Sequence, residues 1–407
     1  MKKLALSLIF ISLVTAAFAD LYKPHRVFEI GVDAEVSVAN NYLSPSEVLV
    51  KDLVIDLQKI SDGIKDNGLL FDFNTKEKVF INLNISSHYR FGLFTGVEAN
   101  GQMNLEQGLF KFLSTGMKVG DNLDFVLSGY TDAFYDVGLS FQTIIKDYGV
   151  KIAPSYYVPI AYMPQVKAKG SFSTSADGKI KMEAKAPVVL YTAIDMKGVL
   201  EDDEDINLDI PSILSNGGMD LTFEVERNIL HGFNVGVFGR VPVVPGKLTH
   251  KTSMDVDAYF YEKNILGIME DGEEHDHDVE IGDKEYEDVS YKIARPMRFG
   301  VEASYKPFGD SIFLQSSLDL AVRNLFTPAD KIIYPEYDFS ATFGLKKITS
   351  LTFGTAYQDM IFSHYIGYML NFRLIELNAR VAVSSSDFIH SFGISGVKAY
   401  AGVRIGY

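Results

Sequence analysis

No cysteine and no tryptophan occur among the 407 residues. Without cysteine there is no disulfide, no thiolate metal site and no acceptor for the lipid of a lipoprotein. Without tryptophan, any interfacial girdle must be built from the 22 Tyr and 29 Phe, whose rings can straddle a membrane boundary. After Leu4–Val14 no run approaches the roughly 18 uninterrupted apolar residues of a membrane helix. If the chain enters a bilayer, it must therefore enter as a closed sheet. Basic residues are also scarce: 38 Lys and Arg face 53 Asp and Glu, for a net charge of −15. That balance argues against nucleic-acid binding and against docking on anionic lipid. No G-x-S-x-G elbow is present. Ser215 has no nearby upstream His to act as a base, and Asn216-Gly217 reads as a turn before a strand from Gly218. Neither an enzyme nor a cofactor is expected.

What is present begins at the two ends. Residues 1–19 combine a basic start (Lys2, Lys3), the apolar run and Ala17-Phe18-Ala19 before Asp20. This reads as a secretory signal peptide, leaving 20–407 as one barrel. At the other end, Val397, Ala399, Ala401, Val403, Ile405 and Tyr407 alternate with Lys398, Tyr400, Gly402, Arg404 and Gly406. A period of two puts these sets on opposite faces of a strand, oily outside and polar inside. Strand 397–407 also looks like the C-terminal signal read by the outer-membrane assembly machinery.

The dyad pattern recurs. Phe28 to Val38 alternates without a fault, with Glu29, Asp33 and Glu35 on one face. A dozen similar segments follow, from Val79–Ser87 to Glu376–Val383, and predict an all-β, transmembrane antiparallel barrel of about 14 strands, with 12 to 16 allowed. A secreted sandwich or solenoid shares this periodicity. Asp177-Gly178 predicts a hairpin whose Lys-, Ser- and Thr-rich flanks stand outside the bilayer. Val241-Pro242-Val243-Val244-Pro245-Gly246 reads as an ordinary turn. Ser44-Pro45-Ser46-Glu47 is a capping box that opens a helix over 45–66; a second helix fits Asn104–Leu113. Two acidic stretches, 201–209 and 270–288, read as loops.

Three sets of residues are candidates for function. Leu53, Leu57 and Ile60 form the apolar stripe of the first helix, which either packs at the mouth or plugs the lumen and meets ligand there. Pro154 and Pro159, followed by Pro164, lie in an apolar strand and each lacks the N–H that a ladder needs. They mark either a rim or a break that opens the wall. His275, Asp276 and His277 bring metal-ligand types together, but at a spacing that better suits a solvated acidic loop than cation capture.

The stretches Phe238–Leu248 and Arg295–Phe308 each join a strand to a Pro-containing rim. In this layout the chain resembles the long-chain fatty-acid transporter family of outer-membrane barrels, especially its divergent spirochaetal members. The resemblance implies a 14-stranded barrel taking up hydrophobic molecules by lateral diffusion through a wall opening. The family's Asn-Pro-Ala hatch is missing, so Tyr42–Leu70 would have to supply one. The expected function is passage of a hydrophobic small molecule such as a long-chain fatty acid, with outer-membrane lipid as surroundings. The rivals are a porin for polar solutes and a surface adhesin barrel. For the porin, Glu29, Asp33, Glu35, Glu98, Asp132, Asp136, Glu302, Asp319, Arg323, Arg373, Arg380 and Arg404 would line the lumen.

Overall fold

The computed structural model describes residues 26–43, 57–64, 68–86, 88–115, 122–174, 180–197, 209–230, 232–262, 276–327, 331–345, 348–393 and 395–407. Its strands, in chain order, begin with β1 (Phe28–Asn40), β2 (Leu69–Asn84), β3 (Tyr89–Leu105), β4 (Asn122–Ile145) and β5 (Tyr148–Thr174). Next come β6 (Ile180–Thr192), β7 (Gly218–Leu230), β8 (Phe233–Val244), β9 (Gly246–Glu262), β10 (Asp276–Ile281) and β11 (Glu285–Ile293). The last are β12 (Met297–Tyr305), β13 (Ile312–Arg323), β14 (Ile332–Leu345), β15 (Thr349–Gln358), β16 (Ile361–Asn371), β17 (Ile375–Ser385) and β18 (Gly396–Gly406). Three short α-helices are described, α1 (Leu57–Gly63), α2 (Gln107–Thr115) and α3 (Ile210–Ser215), with two 3₁₀ turns at Gly309–Ser311 and His390–Gly393.

Fourteen of these strands close an antiparallel tube. Its order is β1 to β5, then β7, β8 and β12 to β18, with β18 returning to β1 over Glu29↔Gly406 through Ala39↔Gly396. Each backbone edge is thereby offered a neighbour, the condition for a sheet to stand in hydrocarbon. The other four strands stand on the tube. The far parts of β4 and β5 continue beyond the wall, β6 pairs β5 and β9, and β10 and β11 lie end to end along β9.

This surface sheet corrects two expectations. The segment Val241–Gly246 does not reverse the chain, because β8 runs on through Pro245 into β9. Pro245 has no N–H to give a ladder, so it fits the corner where one strand leaves the tube. The acidic stretch 270–288 is not wholly loop, since it contains β10 and the start of β11. Asp276 and His277 sit in β10 opposite Tyr261 and Phe260; His275 lies outside the described residues, as do 201–208 and the signal segment 1–19.

Arg26 and Tyr407, the first and last described residues, lie at one end, where connections are short: Lys146-Asp147 between β4 and β5, and Phe372-Arg373-Leu374 between β16 and β17. Arg373 stands in that turn at φ 71°, exposed, and not in the lumen. The opposite end carries the surface sheet and all three helices. Along β1, Glu29, Glu35 and Ser37 are buried while Ile30, Val32 and Val38 are exposed. The same alternation repeats around the tube, with Leu93, Val137, Leu221, Val301, Leu318, Phe339, Phe353, Ile366 and Val381 all exposed. Large apolar side chains left bare on every side form the lipid-facing band of a transmembrane barrel. Replacing Ile366, midway along β16, by Arg is expected to cost roughly 2–4 kcal/mol, read as a lower urea midpoint for unfolding from vesicles.

Candidate functional site

Side chains from eight wall strands and two connections converge on one ionic lattice. Asp359, in the β15–β16 turn, meets Lys76 Nζ at 2.7 Å, Arg298 Nη2 at 2.7 Å and Arg323 Nη2 at 3.1 Å. Arg298 also pairs with Glu336 at 2.7 Å. Glu98 accepts Arg240 at 3.2 Å and lies 3.9 Å from Lys76 and 3.6 Å from Arg295. Arg295, in the β11–β12 connection, reaches Asp136 at 2.9 Å and Asp220 at 3.4 Å. Five cations thus meet five anions across the tube. A balanced network of this kind holds only while each buried charge keeps its partners. A second cluster, Glu35 with Lys398 at 2.7 Å and Arg380 at 3.1 Å, fills the sector of β1, β17 and β18.

Beside the lattice lies a cavity of about 880 Å³ lined by both charged and aromatic side chains, Phe80, Phe94 and Phe238 among them. Lys76, Glu98, Asp136, Arg240, Arg295 and Arg298 bound it on one side, while Arg90, Gln142, Asn234, Ser304 and Lys306 carry it toward the end with the short turns. On the other side of Arg295, Phe134, Tyr157, Tyr162, Leu248 and Ile293 form a buried apolar cluster. Tyr191 and Tyr291 stack against it with ring centroids 4.0 Å apart.

The wall is irregular in two places. Along β5 the pairing with β4 has no rung at Pro154, though the register continues from Ser155 to Ile152. One residue bulges just after Pro159, and the register shifts again beside Pro164. Also at Pro159, β5 exchanges its partner on the other edge, leaving β7 after Tyr157↔Gly218 and taking β6 from Ala161↔Thr192. This fork is filled. Tyr157 is fully buried, its hydroxyl donates to Val244 O at 2.9 Å and accepts Gly246 N–H at 3.2 Å. Glycine is required here: a Cβ on Gly218 would lie 2.5 Å from the Tyr157 ring, and one on Gly246 2.7 Å from Pro159.

The second irregularity is not filled in this way. Strands β1 and β2 are bridged only at their ends, Phe28↔Leu83 and Asn40↔Phe71. Residues 29–39 and 72–82 run side by side without a ladder. Phe80 lays its ring across the seam over Gly31, where a Cβ would meet Cζ at 2.2 Å. Outside, Thr75 and an exposed Glu77 interrupt the apolar positions Phe73 and Val79. A carboxylate at such a position is costly in hydrocarbon. The run Thr75-Lys76-Glu77-Lys78 carries the signal in the sequence, as a gap in the dyad pattern before Val79.

The predicted site residues fall apart into different regions. Leu53 lies outside the described residues and Leu57 opens α1. Ile60 is buried with Ile64, Leu69 and Phe110, where α1 meets α2 and the rims of β2 and β3. Pro154 is exposed on the outer face, whereas Pro159 is buried in the fork. Among the described residues no group of three or more His, Asp or Glu is placed to hold a metal.

No family model matches the chain, and no curated protein does. Among solved structures it is similar to the toluene transporter TodX of P. putida, at 9% identity over 97% of this chain and 94% of that one, TM-score 0.46. It is also similar to the toluene transporter TbuX of Ralstonia pickettii, at 10% identity over 94% and 90%, TM-score 0.44. The monoaromatic hydrocarbon channel CymD gives 7% identity over 94% and 89%, TM-score 0.42.

Asp359 holds three cations at once, so Asp359→Ala is expected to take the carboxylate from Arg323 and to leave Arg298 with Glu336 alone and Lys76 with the more distant Glu98. Loss of one partner from a buried ionic network costs about 3–5 kcal/mol. Urea unfolding should show that loss, and planar-bilayer recordings should show ion conductance absent from the parent.

Proposed function

We propose that this protein is an outer-membrane barrel that passes a small hydrophobic molecule sideways through its wall, with both termini on the periplasmic side and the surface sheet outside. The ionic lattice carries this reading. A polar solute would have to compete with paired charges for its path, and an apolar one would have to part charges that need each other. A route that leaves the tube through the wall avoids both costs. The unladdered β1–β2 seam supports such a route, since separating two strands there breaks no rungs between 29–39 and 72–82. The ring of Phe80 supplies an apolar cover on its inner side. The prolines of β5 belong to this reading as the alternative door, at the fork where Pro154 and Pro159 interrupt the wall. Long-chain fatty acids and monoaromatic hydrocarbons are the two cargo classes to compare.

The absence of native cysteine makes the test direct. The register of the end bridges sets Ala34 opposite Glu77. In liposomes, the pair Ala34→Cys/Glu77→Cys is expected to take up toluene or oleate when reduced and to lose uptake when cross-linked, while each single variant stays active. Uptake that survives cross-linking but is lost in Pro154→Val/Pro159→Val moves the door to β5. A large steady conductance in the parent protein, without hydrophobic uptake, would establish the porin instead.

A further inference from the structure

We propose that the first part of the connection from β17 to β18, residues 386–393, lies within the edge of the bilayer and packs against acyl chains. The inference rests on the membrane-barrel reading but concerns a segment that reading does not use. His364 starts it. Outward positions of β14 to β18 carry no Asp, Glu, Lys or Arg, and His364 is the one imidazole among them. The connection folds back over it: Ser391 Oγ lies 2.9 Å from His364 Nε2, and the Phe392 ring stacks on the imidazole at 4.0 Å and 22°. What the segment then presents to its surroundings is apolar, with Phe388 50%, Ile389 72% and Phe392 63% exposed.

Its polar groups turn the other way. Asp387 Oδ1 accepts the Ile389 and His390 N–H groups, Ser391 N–H donates to Asp387 O, and Ser391 Oγ donates to Phe388 O. A short segment that ends in a 3₁₀ turn at His390–Gly393, closes most of its N–H groups on its own acceptors and turns its rings outward suits the boundary between headgroups and acyl chains. Height agrees. Strand β16 has 11 residues, and a tilted strand needs about 9–11 to cross the hydrocarbon. The wall is therefore only membrane-tall in this sector, and a segment folded down to His364, the fourth residue of β16, reaches below the lipid surface. The exposed rings continue the band of Ile366 and Val381 on the same strands.

The test uses single nitroxide labels on the full chain in phosphatidylcholine vesicles, at Ile389→Cys and separately at Phe392→Cys. Ile366→Cys reports the lipid band, and Lys185→Cys on β6 of the surface sheet reports water. Both loop labels are expected to collide with oxygen in preference to a water-soluble nickel complex, as the label at Ile366 does. Nickel accessibility equal to that at Lys185, with Ile366 still protected, overturns the proposal and leaves the barrel standing. Loss of protection at Ile366 overturns the barrel reading itself. Dipolar broadening between loop labels would make the segment a contact between two copies and overturn the lipid assignment.

Discussion

Closure of the backbone ladder is the constraint on which everything else in this molecule depends. In hydrocarbon an unpaired N–H or C=O has no water to turn to. The chain answers by joining its last strand to its first over continuous rungs from Glu29↔Gly406 to Ala39↔Gly396. Once the tube is closed, each side chain has two choices, lumen or lipid, and the charge must go inward. The ionic lattice follows from this: carboxylates and guanidinium groups forced into one narrow space are stable only when paired. A closed ladder also gives meaning to the one seam that is bonded only at its ends.

Lumen and wall then divide the work. The lattice draws on inward positions from β2 around to the β15–β16 turn, so the residues that reach across the tube are also the ones that hold it together. The proposed route through the wall would leave that network intact. The fork on β5 and the seam between β1 and β2 differ in kind. Tyr157 and Pro159, seated against Gly218 and Gly246, fill the first, whereas the second is crossed mainly by the ring of Phe80 over Gly31.

Much of the fold was legible in the alternation of single strands. Phe28–Val38 shows its inward carboxylates without any coordinates, the closing strand 396–406 matches the C-terminal pattern, and the second predicted helix appears as Gln107–Thr115. Where alternation fails, legibility failed with it. The first half of β2 hides behind Thr75-Lys76-Glu77-Lys78. Strand β10 and the start of β11 are acidic and stand in water, where no lipid face imposes a pattern. The β15–β16 turn escaped because Asp359 and Met360 both take positive φ, 52° and 67°, without a glycine to announce it. A period of two gives the face of a residue but not its depth, so the partners of Glu98 or Asp359 could not be read from spacing. The β8–β9 corner looked like a reversal because proline and glycine favour both.

That corner has a mechanical consequence. Because β8 runs into β9, and β4 and β5 rise unbroken into the same surface sheet, the part of the molecule that meets the outside world is spliced directly into staves of the tube. A load placed on the sheet is delivered along covalent strands to the fork at Pro159, with no hinge loop between them to absorb it.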